Sequence, residues 1–286
     1  MEDSVALIRY LERHIEPALP EPPANATGWR HVLVIPCYDE APALLDRLQA
    51  LPSTSGRVLV ILVLNRPDSN GDAQVNRALR EAIHARTPAI STATATSRLL
   101  PLDAGIDLLL HDVEVTGGPT PAALGVGLAR KSGCDLALKW MHQGCIEHDW
   151  ICSTDADAQL PADYFSRVEQ LPREAAAAVF PFLHRPGPDT LCNAATILYE
   201  LRLHHYVLGL EYARSPYAYH TLGSCLAVQA DAYCKVRGFP RRAGGEDFYL
   251  LNKLAKLGTV VRSRGLCIEL ESRPSHRVPF GTGPAV

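Results

Sequence analysis

Between residues 31 and 153 the chain alternates strand-length apolar runs with segments of helical spacing, and that rhythm leaves few folds open. Residues 31–35, 57–64, 106–111 and 150–153 read as strands. Residues 41–51, 73–85 and a segment from about residue 122 onward read as the helices between them. Strands separated by helices predict an α/β domain with a mostly parallel central sheet and helices on both faces. Such sheets take their ligands beyond the carboxyl ends of their strands, so the informative residues should follow each strand.

Outside this core the pattern is looser. Val5, Leu7, Ile8, Leu11 and Ile15 sit at helical spacing, and a Pro-rich stretch follows at 17–23. The polar Thr/Ala/Ser segment 87–97 predicts a loop. Farther on, 175–182 and 223–228 predict strands, and 189–208 and 246–257 predict helices. With 286 residues in all, this fits an N-terminal helix and linker over 1–29 and one large domain over 30–286.

Charge narrows the function. The 28 basic residues nearly balance the 31 acidic ones, for a net −3, which argues against a nucleic-acid binder. Basic residues do cluster at 237–242 and 262–277, so a local anion site stays open. No apolar stretch reaches the roughly 18 residues of a bilayer span, so no transmembrane segment is expected. The opening Met-Glu-Asp lacks the basic-then-apolar layout of a signal peptide. Eight scattered cysteines form no Cys-x-x-Cys pair, which argues against a zinc knuckle. They predict reduced, buried thiols in a cytoplasmic protein.

Three segments carry chemistry. In ICSTDADAQLPADYF, residues 151–165, an apolar strand runs straight into Asp155 and Asp157. Two carboxylates one residue apart at a strand end can share a hard divalent cation such as Mg²⁺ or Mn²⁺, which also binds phosphate oxygens. Aspartates equally suit a solvated turn or a helix start. In VLVIPCYDE, residues 32–40, a strand leads to Pro36, Tyr38 and Glu40, where a nucleoside could be contacted. In GGEDFYLLNKLAKLG, residues 244–258, two glycines precede Glu246 and Asp247 at a helix start. A carboxylate there could take a proton from an attacking hydroxyl, or simply suit the helix dipole.

In this order the segments resemble the family 2 glycosyltransferases and their GT-A relatives. The first is similar to that family's strand-Pro-x-Tyr-Asn-Glu signature, with Asp39 where Asn is common. Asp155 and Asp157 match its metal-binding Asp-x-Asp, and Asp247 matches the base of its Glu-Asp motif. GVGLARKSGCDLAL, residues 125–138, resembles its Gly-x-x-x-Ala-Arg-Asn-x-Gly helix, with Lys131 replacing Asn. TLGSCLAVQADAYCKVRGFP, residues 221–240, resembles its acceptor-side segment. The resemblance covers about residues 30 to 270 and departs at Asn65, where relatives usually carry an aspartate that holds the base, so uracil and guanine both stay open. It departs again in a long insertion near 87–120 and in the tail RPSHRVPFGTG, residues 273–283.

What the resemblance implies is a metal-dependent transferase moving a sugar from a UDP- or GDP-linked donor to an unidentified acceptor hydroxyl. Its GT-A catalytic domain would have a nucleotide-binding half at about 30–158 and an acceptor-binding half at about 159–286. Pro36, Tyr38, Glu40, Asn65, Arg130, Lys131 and Asp155 would bind the nucleotide sugar. Gly223, Ser224, Arg273 and Arg277 would meet the acceptor or diphosphate. Mg²⁺ or Mn²⁺ would be held by Asp155, Asp157 and His276. Asp247, oriented by Glu246, would be the base of an inverting transfer. A retaining enzyme with an anionic acceptor, or a catalytically inactive nucleotide-binding protein, are the alternatives. A nucleotidyltransferase is discounted, because no Gly-rich loop follows the first strand.

Overall fold

The computed structural model describes residues 4–24, 26, 28–52, 54–86, 91–94 and 97–274. Its first elements are α1 (Val5–Arg13), β1 (Trp29–Cys37), α2 (Leu44–Gln49), β2 (Arg57–Leu64) and α3 (Arg77–Ala85). Then come β3 (Ser91–Thr94), β4 (Ser97–Asp103), β5 (Ile106–Asp112), α4 (Val113–Gly117), α5 (Gly125–His142) and β6 (Trp150–Ser153). The second half holds α6 (Tyr164–Glu169), β7 (Ala177–Val179), β8 (Phe182–Arg185), α7 (Thr190–Tyr212) and β9 (Leu226–Gln229). It ends with α8 (Ala230–Lys235), α9 (Glu246–Leu254), β10 (Val260–Arg262) and β11 (Ile268–Glu271).

One sheet organises the chain, in the order β10-β7-β9-β6-β1-β2-β5-β4-β3. Its strands are mostly parallel: β1 runs parallel to β2 and β6, and β2 to β5, whereas β4 and β9 run against their neighbours. A separate parallel pair joins β8 and β11.

The central strands explain why helices cover both faces. Successive side chains of a strand point to opposite sides. In β2, Leu59, Ile61 and Val63 enter one apolar cluster, whereas Val58, Val60, Leu62 and Leu64 enter the other. An apolar run such as residues 58–64 is stable only if both sides are covered. Side chains of α1, α5, α8 and α9 complete the first cluster, and those of α2, α3 and α6 the second. The cysteines are free thiols, buried except for half-buried Cys267.

Two sequence expectations need correction. The segment 87–97 is no simple loop: Ser91–Thr94 is β3, paired antiparallel with β4, although 87–90 and 95–96 lie outside the described residues. Its threonines are β-branched and suit a strand better than their polarity suggests. The expected strand over 175–182 is two strands, broken around Pro181, whose nitrogen has no hydrogen to donate to a ladder. The expected N-terminal helix is present and is tied to the sheet's covering helices. Tyr10 and Tyr233 donate to Asp135 at 2.6 and 2.8 Å, and the Lys131 ammonium reaches Tyr10, Asp135 and the His14 carbonyl at 2.6 to 2.9 Å.

Candidate active site

A cleft of about 850 Å³ opens at the carboxyl ends of β1, β2 and β6. Strand direction alone delivers three groups to it. Pro36, Tyr38 and Glu40 come from the end of β1, Asn65 follows β2, and Asp155 and Asp157 follow β6. The opposite wall is built from Gly223 and Ser224 before β9, Glu246 and Asp247 at the start of α9, and Arg273 after β11.

Arg130 is one of the side chains that join the two walls. Arg130 projects from α5, is only 3% exposed, and makes no contact with bulk water to speak of. Its Nε donates to Glu246 at 2.8 Å, one terminal nitrogen donates to the Ser153 hydroxyl at 2.8 Å, and the other donates to Asp155. Burial opposes the charge on Arg130, but Asp155 and Glu246 outweigh it and hold its pKa above the ordinary value. Backbone ties fix the same region. Thr154 donates its hydroxyl to the Ser224 carbonyl at 2.9 Å, and Gly127 of α5 donates to the Arg242 carbonyl at 3.0 Å. Gly245 then turns the chain into α9 at a φ of 68°, a left-handed conformation that favours glycine.

That turn sets the chemistry of Asp247. It faces the cleft half-buried, with one carboxylate oxygen accepting the Phe248 N–H at 2.7 Å. Loss of surrounding water and the adjacent Glu246 raise its carboxyl to about 7, against the pull of Arg130. A carboxylate poised near neutrality suits proton transfer. Burial likewise raises Asp155; Arg130 opposes this and Asp157 adds to it.

Asp157 has a different partner. Arg273 donates to it at 3.1 and 2.8 Å and also reaches Glu40 at 3.3 Å. Asp155 and Asp157 offer two carboxylates, a set that fits a hard cation completing its shell with water and phosphate oxygens. Among the described residues no group of three or more His, Cys, Asp or Glu is placed to hold a metal. His276 and Arg277 lie outside the described residues.

Lys131 is corrected. It is one residue from Arg130 but points away from the cleft, where its ammonium holds α1 through Tyr10 and Asp135. Neighbouring helix positions are about 100° apart, so they cannot share a face. Sequence reasoning missed His184, Tyr199 and Asn70, which also line the cleft. Asn70 donates to the Tyr38 hydroxyl at 2.5 Å, and the buried His184 ring contacts Glu200 at 2.7 Å through Nδ1. Only Glu200 carried a signal, its four-residue spacing from His204, which reads as a polar face on a packed helix rather than as support of His184.

The mostly parallel sheet and its strand-end cleft are those of the GT-A fold of nucleotide-sugar transferases. The chain is similar to TarS residues 1–349 of S. aureus, solved with UDP-GlcNAc, at a TM-score of 0.50 and 12% identity, over 87% of this chain and 60% of that one. It is also similar to the mannosyltransferase PcManGT of Pyrobaculum calidifontis, solved with GDP-Man and Mn²⁺, at a TM-score of 0.49 and 16% identity, over 95% of this chain and 66% of that one. It therefore spans less than two thirds of either. No family model and no curated protein sequence matches it. Among the described residues no helix is long and apolar enough to cross a membrane.

Proposed function

We propose that the protein is a metal-dependent, family 2-like glycosyltransferase that moves a sugar from a nucleoside diphosphate to an acceptor hydroxyl, with inversion. The observation that carries this is Arg130: a single buried cation joins strand-end Asp155 to Glu246, the neighbour of Asp247. A diphosphate end and a proton-accepting end thereby share one cleft. Tyr38, Glu40 and Asn65 would receive the nucleoside, UDP- or GDP-linked, beyond β1 and β2. Gly223, Ser224 and Arg273 would border the diphosphate and acceptor.

Asp155 and Asp157 would hold Mg²⁺ or Mn²⁺. Bound there, the cation stabilises charge on a departing diphosphate. Arg273 must share Asp157 with it or swing onto the phosphates, which its forked donors also suit. In the reaction the acceptor oxygen forms a bond to the anomeric carbon as the bond to the diphosphate oxygen breaks. The hydroxyl proton passes to the Asp247 carboxylate, and Glu246, locked by Arg130, keeps that carboxylate in place. Eight free cysteines support a reducing, cytoplasmic setting.

The test is a panel of UDP- and GDP-sugars incubated with the purified protein, with Mg²⁺, Mn²⁺ or chelator. We expect release of nucleoside diphosphate from one donor class, abolished by chelator, and inversion at the anomeric carbon once an acceptor is found. Turnover indifferent to chelator would remove the metal. No binding of any sugar nucleotide would remove the function.

A further inference from the structure

Helix α7 carries apolar side chains well beyond its covered face. Cys192, Thr196 and Val207 are buried. Leu191, Leu198, Leu201, Leu208 and Tyr212 are 58% to 94% exposed, and Ile197 and Tyr206 beside them are 58% and 62% exposed. A contiguous exposed apolar patch marks an interaction surface.

The spacing identifies the partner. Leu191, Ala194, Leu198, Leu201, His205, Leu208 and Tyr212 recur at alternating steps of three and four, and every one of them is exposed. That is the seam along which two helices pack side by side. The area agrees. At about 200 Å² for a fully exposed large apolar residue, the five large seam side chains present roughly 700 Å², close to the about 800 Å² per partner of a stable interface. The flanks carry Arg202 and Arg214 against Glu200 and Glu211, with Glu211 ion-paired to Arg262. This balance lacks the basic excess that draws a helix onto an anionic bilayer.

We propose that α7 packs against α7 of a second copy of this chain, antiparallel, about a two-fold axis between Leu198 and Leu201. In that register Leu198 faces Leu201, Leu191 faces Leu208, and His205 faces the small Ala194. Parallel pairing would set His205 against itself. Because Tyr199 lines the cleft from the same helix, the contact lies beside the active-site wall of each copy.

Sedimentation equilibrium tests this. The wild-type protein should sediment at twice the 31.2 kDa of the chain. Leu198→Glu and Leu201→Lys should each give the monomer with unchanged circular dichroism. Combining them should restore the dimer, because each new charge then faces its opposite across the axis. The proposal is overturned by a monomeric wild type at tens of micromolar, whether or not it floats with phosphatidylglycerol vesicles. It is equally overturned if both single variants remain dimeric. Restoration in the double variant separates a lost contact from a lost fold.

Discussion

The two halves of the sheet place their cleft residues by different physics. Over residues 30–158 the work is done by strand direction: Tyr38, Asn65 and Asp155 each follow a parallel strand that is buried on both sides, and they reach one edge together. Over residues 159–274 the strands are short and partly reversed. There Ser224, Asp247 and Arg273 arrive from a loop, a helix start and a chain segment after β11. Such groups need tethers, and Arg130 and Arg273 are those tethers. The first wall is fixed by burial, the second by ion pairs.

Removing the main tether should have the largest effect. Arg130→Met strands Glu246 and Asp155 without their cation, and breaking a buried pair from one side costs about 3–5 kcal/mol. Urea unfolding should show a loss of that order, with loss of turnover. A change under about 1 kcal/mol would mean that the second wall does not depend on Arg130.

A smaller effect contrasts the packing of the halves. A Cβ on Gly133 of α5 would lie 2.4 Å from Val34 Cγ1 and 2.8 Å from Val63 Cγ2, so Gly133→Ala must lift the helix from β1 and β2. Overpacking of this kind costs about 1–3 kcal/mol. In α7, a Cβ on Gly209 would meet nothing within 4 Å. Gly209→Ala should therefore stabilise by about 0.5–1 kcal/mol, the helix propensity gain. Equal destabilisation in both variants would erase the contrast.

The same division explains what the sequence made legible. Asp155, Asp157, Tyr38 and Asn65 could be found because a strand end is visible as the end of an apolar run. Glu246 and Asp247 were visible through the glycines that precede them. His184 and Tyr199 were not, because nothing local marks which residues of β8 or α7 turn toward the cleft. Lys131 misled because motif similarity carries a residue type but not its helix face. The edge strand β3 was hidden because a threonine-rich polar segment reads as a loop until β4 is there to pair with it.

The smallest expected effect concerns the base. Asn65 can both donate and accept, whereas Asp accepts only. Asn65→Asp should shift relative affinity for UDP against GDP by about tenfold or less, on the order of 1 kcal/mol for a single hydrogen bond. Calorimetric titration with both nucleotides reads this. Identical ratios would place the base elsewhere.

The central claim is that Asp247 takes the acceptor proton, and kcat/KM across pH in wild type and Asp247→Asn tests it most directly. A base works as the carboxylate, so with the free protein's carboxyl raised to about 7, wild-type kcat/KM should be level above that pH and fall as pH drops below it. Asp247→Asn keeps the size but removes the proton acceptor. It should lower kcat/KM by about 10²-fold or more and abolish the limb, with donor affinity little changed. Near-normal turnover in Asp247→Asn, with the same limb, would contradict the account.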